Sequence, residues 1–227
     1  MQPDLLRSFF DALSPKYDAM NTLLSFGLNK LWMKRLARSI LEARPRRHLD
    51  LCCGTGAVIA HMERLCPAAR LPSIDCVDFS PAMTALAKKR LINARIFLAD
   101  AAALPFEEGS YDTISIAYGL RNIVDKGAVL SEAARVLRPG GRLYILELTK
   151  PCALIRPFHS LYLSIAAPFL GALVTGQSEP YRYLGRSIRA FSVEDCLEKL
   201  RLHGFLPQKP KAVSLGLVTF ITAEKGT

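Results

Sequence analysis

The 227-residue chain has only four histidines, and no two stand at a spacing that metal ligands use, so the sequence makes no case for zinc or any other metal. Its six cysteines, at 52, 53, 66, 76, 152 and 196, form no C-x-x-C pair and are too sparse for a disulfide scaffold. Reduced thiols in a reducing compartment follow. The first residues, MQPDLLRSFFDALSPKYD, hold acids and a proline where a signal peptide has an apolar stretch, so a cytoplasmic location is expected. Repeats, low-complexity tracts and polar linkers are absent. The apolar stretch Leu161 to Val174 is shorter than the roughly 20 residues a helix needs to span a bilayer, and Pro168 interrupts it. It is not expected to span.

Acids are scarce relative to bases. Twenty Asp and Glu stand against 30 Lys and Arg, a formal charge of +10 that attracts polyanions, either nucleic acid or an anionic membrane. Much of the excess lies early, in Lys30, Lys34, Arg35, Arg38, Arg44, Arg46 and Arg47, around Leu31, Trp32, Leu36, Ile40 and Leu41. That pattern fits a membrane-facing helix or a solvated one. Half of the residues are hydrophobic, which suits one domain with a sizeable core.

Residues 3 to about 43 read as two helices separated near Ser25 to Gly27, after which short apolar strands alternate with helices. Strands are expected at Arg47 to Cys53, Ile74 to Asp78, Arg95 to Leu98, Thr113 to Tyr118 and Arg142 to Leu148. Helical periodicity covers Ala57 to Leu65, Pro81 to Leu91 and Gly127 to Leu137, the last stopped by Pro139-Gly140-Gly141. Such alternation predicts a parallel sheet. A helix from Val193 to His203 then precedes strand-like runs Ala212 to Leu215 and Leu217 to Ala223, which only Gly216 separates. So short a join favours an antiparallel pair.

The turn Gly54-Thr55-Gly56, between the first strand and its helix, lets backbone amides face a ligand without a Cβ in the way. The third glycine of G-x-G-x-x-G is replaced by Ile59, so the turn alone leaves a nicotinamide cofactor, S-adenosylmethionine and a merely structural turn all open. Aspartates at successive strand ends narrow the choice. Asp50 precedes the turn, Asp78 ends the second strand and can take two ribose hydroxyls, and Asp100 follows the third, where it can accept an adenine amino group. Several acids around one pocket suit a cationic sulfonium better than a dinucleotide.

DLCCGTG, VDFSPAM, LADAAALPFEEGSYDTI and RVLRPGGRLYILE follow one another as the motifs of class I S-adenosylmethionine-dependent methyltransferases do. YDAMNTLLSFGLNKLW, AYGLRNIVD, LELTKP, YRYLGRSIRAF and SLGLV further resemble the ubiquinone/menaquinone biosynthesis C-methyltransferases, from about Phe9 to Lys225. The resemblance implies a doubly wound, seven-stranded, mostly parallel α/β sheet of Rossmann type, with N-terminal helices and an apolar insertion before the last helix. It divides the single domain into a helical lid (1–45), a cofactor core (46–148), an insertion over the acceptor (149–190) and a terminal helix with its strand pair (191–227). Cofactor contacts are implied at Asp50, Gly54, Thr55, Gly56, Asp78, Phe79, Asp100, Ala101 and Ala117, and no metal. Two positions depart from the family pattern: Ala57 stands where Asp is usual, and Ala117 where Ser is usual.

The reaction implied is methyl transfer to a ring carbon of a prenylated quinol. A quinone carbon is too electron-poor to attack a sulfonium methyl, so the acceptor must be the reduced form, and the site must stabilise a phenolate and later remove a ring proton. The resemblance implicates Arg121 and Asn122 in catalysis. Arg121 is expected as a cation over the phenolate, the bland alternative being an ion pair with Asp125. Tyr17 and Asp18 are expected in a lid, Met20 and Phe26 in packing, and the lone His159 as structural. Partners expected are the quinol and an anionic membrane surface, with no nucleic acid, and a homodimer is left open. A methyltransferase on another small lipid or phenol, or a basic RNA-binding or RNA-modifying protein, remains the alternative.

Overall fold

In the computed structural model, residues 3–226 are described, with side chains from residue 7 onward. Five strands pair in parallel: β1 (Arg47–Leu51), β2 (Ser73–Asp78), β3 (Ala94–Leu98), β4 (Tyr111–Ala117) and β5 (Leu137–Leu148). Near the C-terminus β6 (Phe205–Pro207), β7 (Lys211–Val213) and β8 (Val218–Lys225) follow. The sheet runs β3-β2-β1-β4-β5-β8-β6, with β7 also on β8. The chain winds outward from β1 through β2 and β3, then returns to β4. The crevice at the C-terminal ends of β1 and β4 is therefore the switch point, where open α/β sheets hold ligands.

The seven expected strand positions are present, and the last is split. Both β6 and β7 pair antiparallel with β8, β6 at residues 223–225 and β7 at 218–220, so they lie end to end along one edge. Pro207 and Pro210 supply no N–H to a ladder, which confines this stretch to an edge and breaks it. The hairpin joining β7 to β8 uses four residues, Ser214 to Leu217, and not Gly216 alone, because Ser214, Leu215 and Gly216 all take positive φ.

Helices cover both faces. These are α3 (Leu28–Glu42), α4 (Ala57–Leu65), α5 (Pro81–Arg90), α6 (Lys126–Val136) and α10 (Val193–Leu202). Alternation along β5 splits the core: Leu143 and Ile145 join α6 and α10 on one side, while Tyr144 and Leu146 join α3 and α4 on the other. Each such apolar side chain taken from water stabilises the fold by roughly 1.5–3 kcal/mol. The Pro139-Gly140-Gly141 stop lies inside the first part of β5, where the pairing with β4 shifts register.

Two expectations fail outside the core. The N-terminal region holds three helices, α1 (Pro3–Leu13), α2 (Tyr17–Leu24) and α3, because Pro15, which has no N–H, opens an extra break at Ser14–Lys16. The apolar insertion is not interrupted at Pro168. Helix α7 (Arg156–Leu161), a wide π turn (Tyr162–Ala166) and α8 (Ala167–Thr175) form one helix of 20 residues, long and apolar enough by length and composition to cross a membrane. The π turn directly before Pro168 takes up the lost hydrogen bond. One face of this helix packs on α9 (Glu179–Ala190) and on the N-terminal helices, and Leu13, Met20, Ala167 and Tyr181 form a third small core.

Candidate active site

At the switch point lies a cavity of about 310 Å³. Asp78, last residue of β2, accepts hydrogen bonds from the amides of Gly54 (2.8 Å) and Ser80 (3.0 Å), which fix its carboxylate and leave lone pairs for two hydroxyls. Burial, the largest influence, raises its pKa while those amides oppose the rise. The hydroxyl of Ser80 accepts from Met83 N to cap α5, so the start of that helix and the ribose-type carboxylate are set together. Gly54 has φ +55, and no heavy atom lies within 4 Å of where its Cβ would be, so bare backbone faces the cavity. Asp100, two residues beyond β3, accepts from Ala102 N at 2.9 Å and keeps one oxygen free. Phe79, Met83 and Val129 add apolar walls. Two fixed carboxylates, a glycine backbone and an aromatic slot fit an adenosyl sulfonium.

Of the residues implied for this cavity, Gly54, Asp78, Phe79, Asp100, Ala101, Ala117 and Asn122 line it. Asp50, Thr55, Gly56 and Arg121 do not. Asp50 is 1% exposed, lies in β1 and accepts from Ser115 Oγ of β4 at 2.5 Å, with its other oxygen unpartnered. Burial raises its pKa to about 7. Ser115 also meets His48, whose ring nitrogens contact Thr113 Oγ1 (2.9 Å) and Ser115 Oγ (3.1 Å), and burial lowers that histidine to about 3. Asp50 thus belongs to a buried relay beneath the turn. Gly56 is the left-handed residue before α4. The hydroxyl of Thr55 donates to Asp18 Oδ1 (2.9 Å) and accepts from Arg90 Nη1 (2.8 Å), and Arg90 pairs with Asp18. Thr55 therefore fastens α2 to the core, as Asp11 fastens α1 through Ser80 Oγ at 2.5 Å.

A second cavity, about 350 Å³ and mostly apolar, lies beside the first, and Tyr17 and Tyr118 belong to the walls of both. Helices α2, α3, α7 to α8 and α9 enclose it. Arg121 lines this second cavity. Its Nη1 donates to Glu147 Oε1 (2.7 Å) and to the Tyr118 carbonyl (2.5 Å), its backbone N–H donates to Glu147 Oε2 (3.0 Å), and its Nε has no protein partner. The alternative ion pair with Asp125 does not form, and Asp125 instead caps α6 by accepting from Ala128 N. Asn122 donates to the Tyr118 carbonyl at 3.2 Å and accepts from Tyr183 Oη at 3.2 Å. Gly119 permits this turn: a Cβ there would stand 2.6 Å from Cys52 Cβ.

Glu147, fully buried, was not foreseen, although an acid inside the apolar run YILEL is the signal that could have found it. Phe26 lines the second cavity while remaining exposed, so it is not the packing residue expected, and His159 lines the same cavity.

The family model described as "ubiE/COQ5 methyltransferase family" matches residues 2–225. The chain belongs to the ubiE/COQ5 methyltransferase family. Within it, the chain is 38% identical over 196 residues to a demethylmenaquinone methyltransferase of Thermus thermophilus, covering 84% of this chain and 88% of that one. It is 34% identical to a ubiquinone/menaquinone biosynthesis C-methyltransferase of Geobacter sulfurreducens, over 97% and 88% of the two chains. In fold it is similar to a Thermotoga maritima methyltransferase described as a possible histamine N-methyltransferase, with TM-score 0.70, 17% identity and 96% and 99% coverage. As a ubiE/COQ5 methyltransferase the chain is an enzyme that uses S-adenosylmethionine, and the cavity at the switch point has the donor set for it.

Proposed function

We propose that the chain methylates a ring carbon of a prenylated quinol, the step that converts demethylmenaquinol to menaquinol or its benzoquinol counterpart, with the first cavity for the cofactor and the second for the ring. The arrangement of Arg121 carries this reading: a buried guanidinium paired with Glu147, with Nε unpartnered, in the wall of an apolar cavity beside the one that holds Asp78 and Asp100. When bound, S-adenosylmethionine supplies an electrophilic methyl group whose C–S electron pair stays on sulfur. Asp78 binds its ribose and Asp100 its adenine; Gly54 and Ala117 approach it through backbone. Arg121 holds the phenolate oxygen, which raises electron density on the ring carbon, and does not itself take the ring proton, since a guanidinium does not give up its own. Asn122, tied to Tyr118 and Tyr183, positions that turn. Tyr17 closes the site from the lid and excludes water.

The peripheral membrane contact belongs to the same proposal. Phe158, Leu161, Ile165, Phe169 and Leu173 recur every three to four residues along the insertion helix, and all are at least 59% exposed. A cavity of about 150 Å³ holds one benzene, so this one, about 350 Å³, takes a ring system and little tail. The remaining prenyl units must leave past Phe26 and Phe158, rim residues that are 81% and 74% exposed, over this apolar face. A helix packed along one side on α9 lies in the plane of a membrane surface and does not thread through it. Lys30, Lys34, Arg35 and Arg38 are exposed on α3, the helix that follows Phe26, and neither α3 before Glu42 nor the insertion helix carries an acid, which suits anionic head groups.

Incubation of the protein and methyl-labelled cofactor with reduced demethylmenaquinone, and separately with the reduced demethylated ubiquinone precursor, tests the reaction. Label in either product supports it, and no label in both overturns it. Co-sedimentation with phosphatidylglycerol vesicles that is lost in Phe158→Asp/Phe169→Asp supports the membrane face. Sedimentation unchanged by that pair overturns it.

A further inference from the structure

Tyr118 stands where the two cavities meet, and three features of it remain unused by the roles given above. Its hydroxyl is buried and has no hydrogen-bond partner among the described residues, although buried hydroxyls are almost always satisfied. Its backbone lies in the left-handed region at φ 58, a conformation an L side chain holds only where the surroundings impose it. Those surroundings are on both sides of the residue: its N–H donates to the Leu146 carbonyl at 2.7 Å, and its own carbonyl accepts from Arg121 Nη1 and Asn122 Nδ2. The fold thus fixes Tyr118 in a strained geometry, and its buried, unpartnered hydroxyl belongs to a residue that walls both the cofactor and the ring cavity.

The other polar side chains near that junction have protein partners. Asn122 is shared between Tyr118 and Tyr183, Glu147 accepts from Arg121 and from the amide of Leu148, and Asp78 holds two backbone amides. Arg121 Nε and the Tyr118 hydroxyl are the unpartnered buried donors among the described residues of these walls, and both belong to residues that line the ring cavity.

We propose that the Tyr118 hydroxyl is a second oxyanion donor, giving a hydrogen bond to the ring oxygen that Arg121 also holds, so that the quinol is bound ionised by one cation and one neutral donor. The inference rests on the quinol reading. Burial is the largest influence on the phenol of Tyr118, and Glu147 adds to it; both raise its pKa, so it stays protonated and a donor throughout the working pH range. As the methyl group adds to the ring carbon, the C–S pair remains on sulfur, the negative charge leaves the ring oxygen, and the ring C–H proton passes to solvent-borne base. Tyr118 neither loses nor gains a proton in this sequence. It enlarges the ionised fraction of the acceptor before the methyl moves.

Tyr118→Phe removes the hydroxyl and keeps the ring. The expected result is a loss of turnover on the order of 10- to 100-fold near neutral pH. Cofactor affinity by calorimetry should remain within about threefold, and the acidic limb of the kcat profile should move to higher pH because the bound quinol ionises less readily. The melting temperature should hold or rise, since an unsatisfied buried hydroxyl is removed. Unchanged kcat and pH profile in an enzyme whose wild type labels a quinol would overturn the role of Tyr118 alone. A clear fall in melting temperature would overturn it too, by showing that the hydroxyl has a structural partner. A wild type that labels neither quinol overturns the underlying reading instead.

Discussion

The two cavities are built by different means. The cofactor cavity stands on strand tips and the caps that follow them: Asp78 ends β2, Ser80 caps α5, and Gly54 follows β1. The ring cavity is enclosed by helices from both ends of the chain, α2 and α3 from one and the insertion helix and α9 from the other, which meet in a core of few residues. Strand tips in a parallel sheet are held by ladders on both sides, so their carboxylates are placed by the whole fold. A helical enclosure is placed by side-chain packing, so it can vary in depth while the cofactor half stays constant.

Substitutions that hit only one cavity should separate the two most strongly. Asp78→Ala removes the acceptor for two hydroxyls and releases the Gly54 and Ser80 amides, and it should weaken cofactor binding on the order of 1000-fold by calorimetry. Arg121→Ala should leave that affinity within about threefold and lower kcat on the order of 100- to 1000-fold. A fall in cofactor affinity matching the fall in kcat would merge the two sites and refute the division.

Arg121→Ala also strands Glu147. Breaking a buried pair by removing one partner costs about 3–5 kcal/mol, so the single variant should melt well below wild type. In Arg121→Ala/Glu147→Gln most of that stability should return while turnover stays low, because the carboxylate no longer needs a counter-charge. Stability that fails to recover would mean that Glu147 has a role beyond holding Arg121.

The sheet beneath the cofactor cavity carries its own pH signature. His48 is held neutral, with its pKa lowered by burial to about 3 against an ordinary value near 6.5, so the folded state binds fewer protons than the unfolded one between those values. Its stabilising contribution is complete above about pH 6.5 and is lost as pH falls toward 3. Asp50 runs the other way: its pKa is raised by burial to about 7, so its contribution is present below about pH 4 and lost as pH rises through 7. The two partly cancel between pH 4 and 6.5. His48→Gln should therefore make stability fall with rising pH across that window, and Asp50→Asn should make it rise, both read from melting temperature against pH. The smallest effect is expected at the lid: Asp18→Asn breaks a partly exposed pair with Arg90 and should cost about 0–1 kcal/mol.

The same contrast governs how much could be read from residues alone. The parallel strands, their order of appearance, Asp78 and Asp100 were legible, because alternation and strand-end acids are local patterns that the sheet turns directly into positions. Asp50 was misjudged, since its place one strand-end earlier says nothing about the face its side chain takes, and it points to Ser115 within the sheet. Thr55 looked like a cofactor contact and is held by Asp18 and Arg90, residues 37 and 35 positions away. Arg121 lines the second cavity, and its partner was missed because Asp125 is close in sequence and Glu147 is close in space. The insertion helix was cut short on the strength of Pro168, and no local pattern announces a π turn that absorbs a proline.

Tyr17 and Tyr118 form a partition with an opening at either end, one rimmed by exposed Val124 and the other by exposed Phe26 and Phe158. On the proposed reading, spent thioether departs through its own doorway while a freshly methylated lipid is still seated behind the aromatic screen. Neither ligand then has to wait for the other to clear out, and product-inhibition patterns should show a free order of arrival.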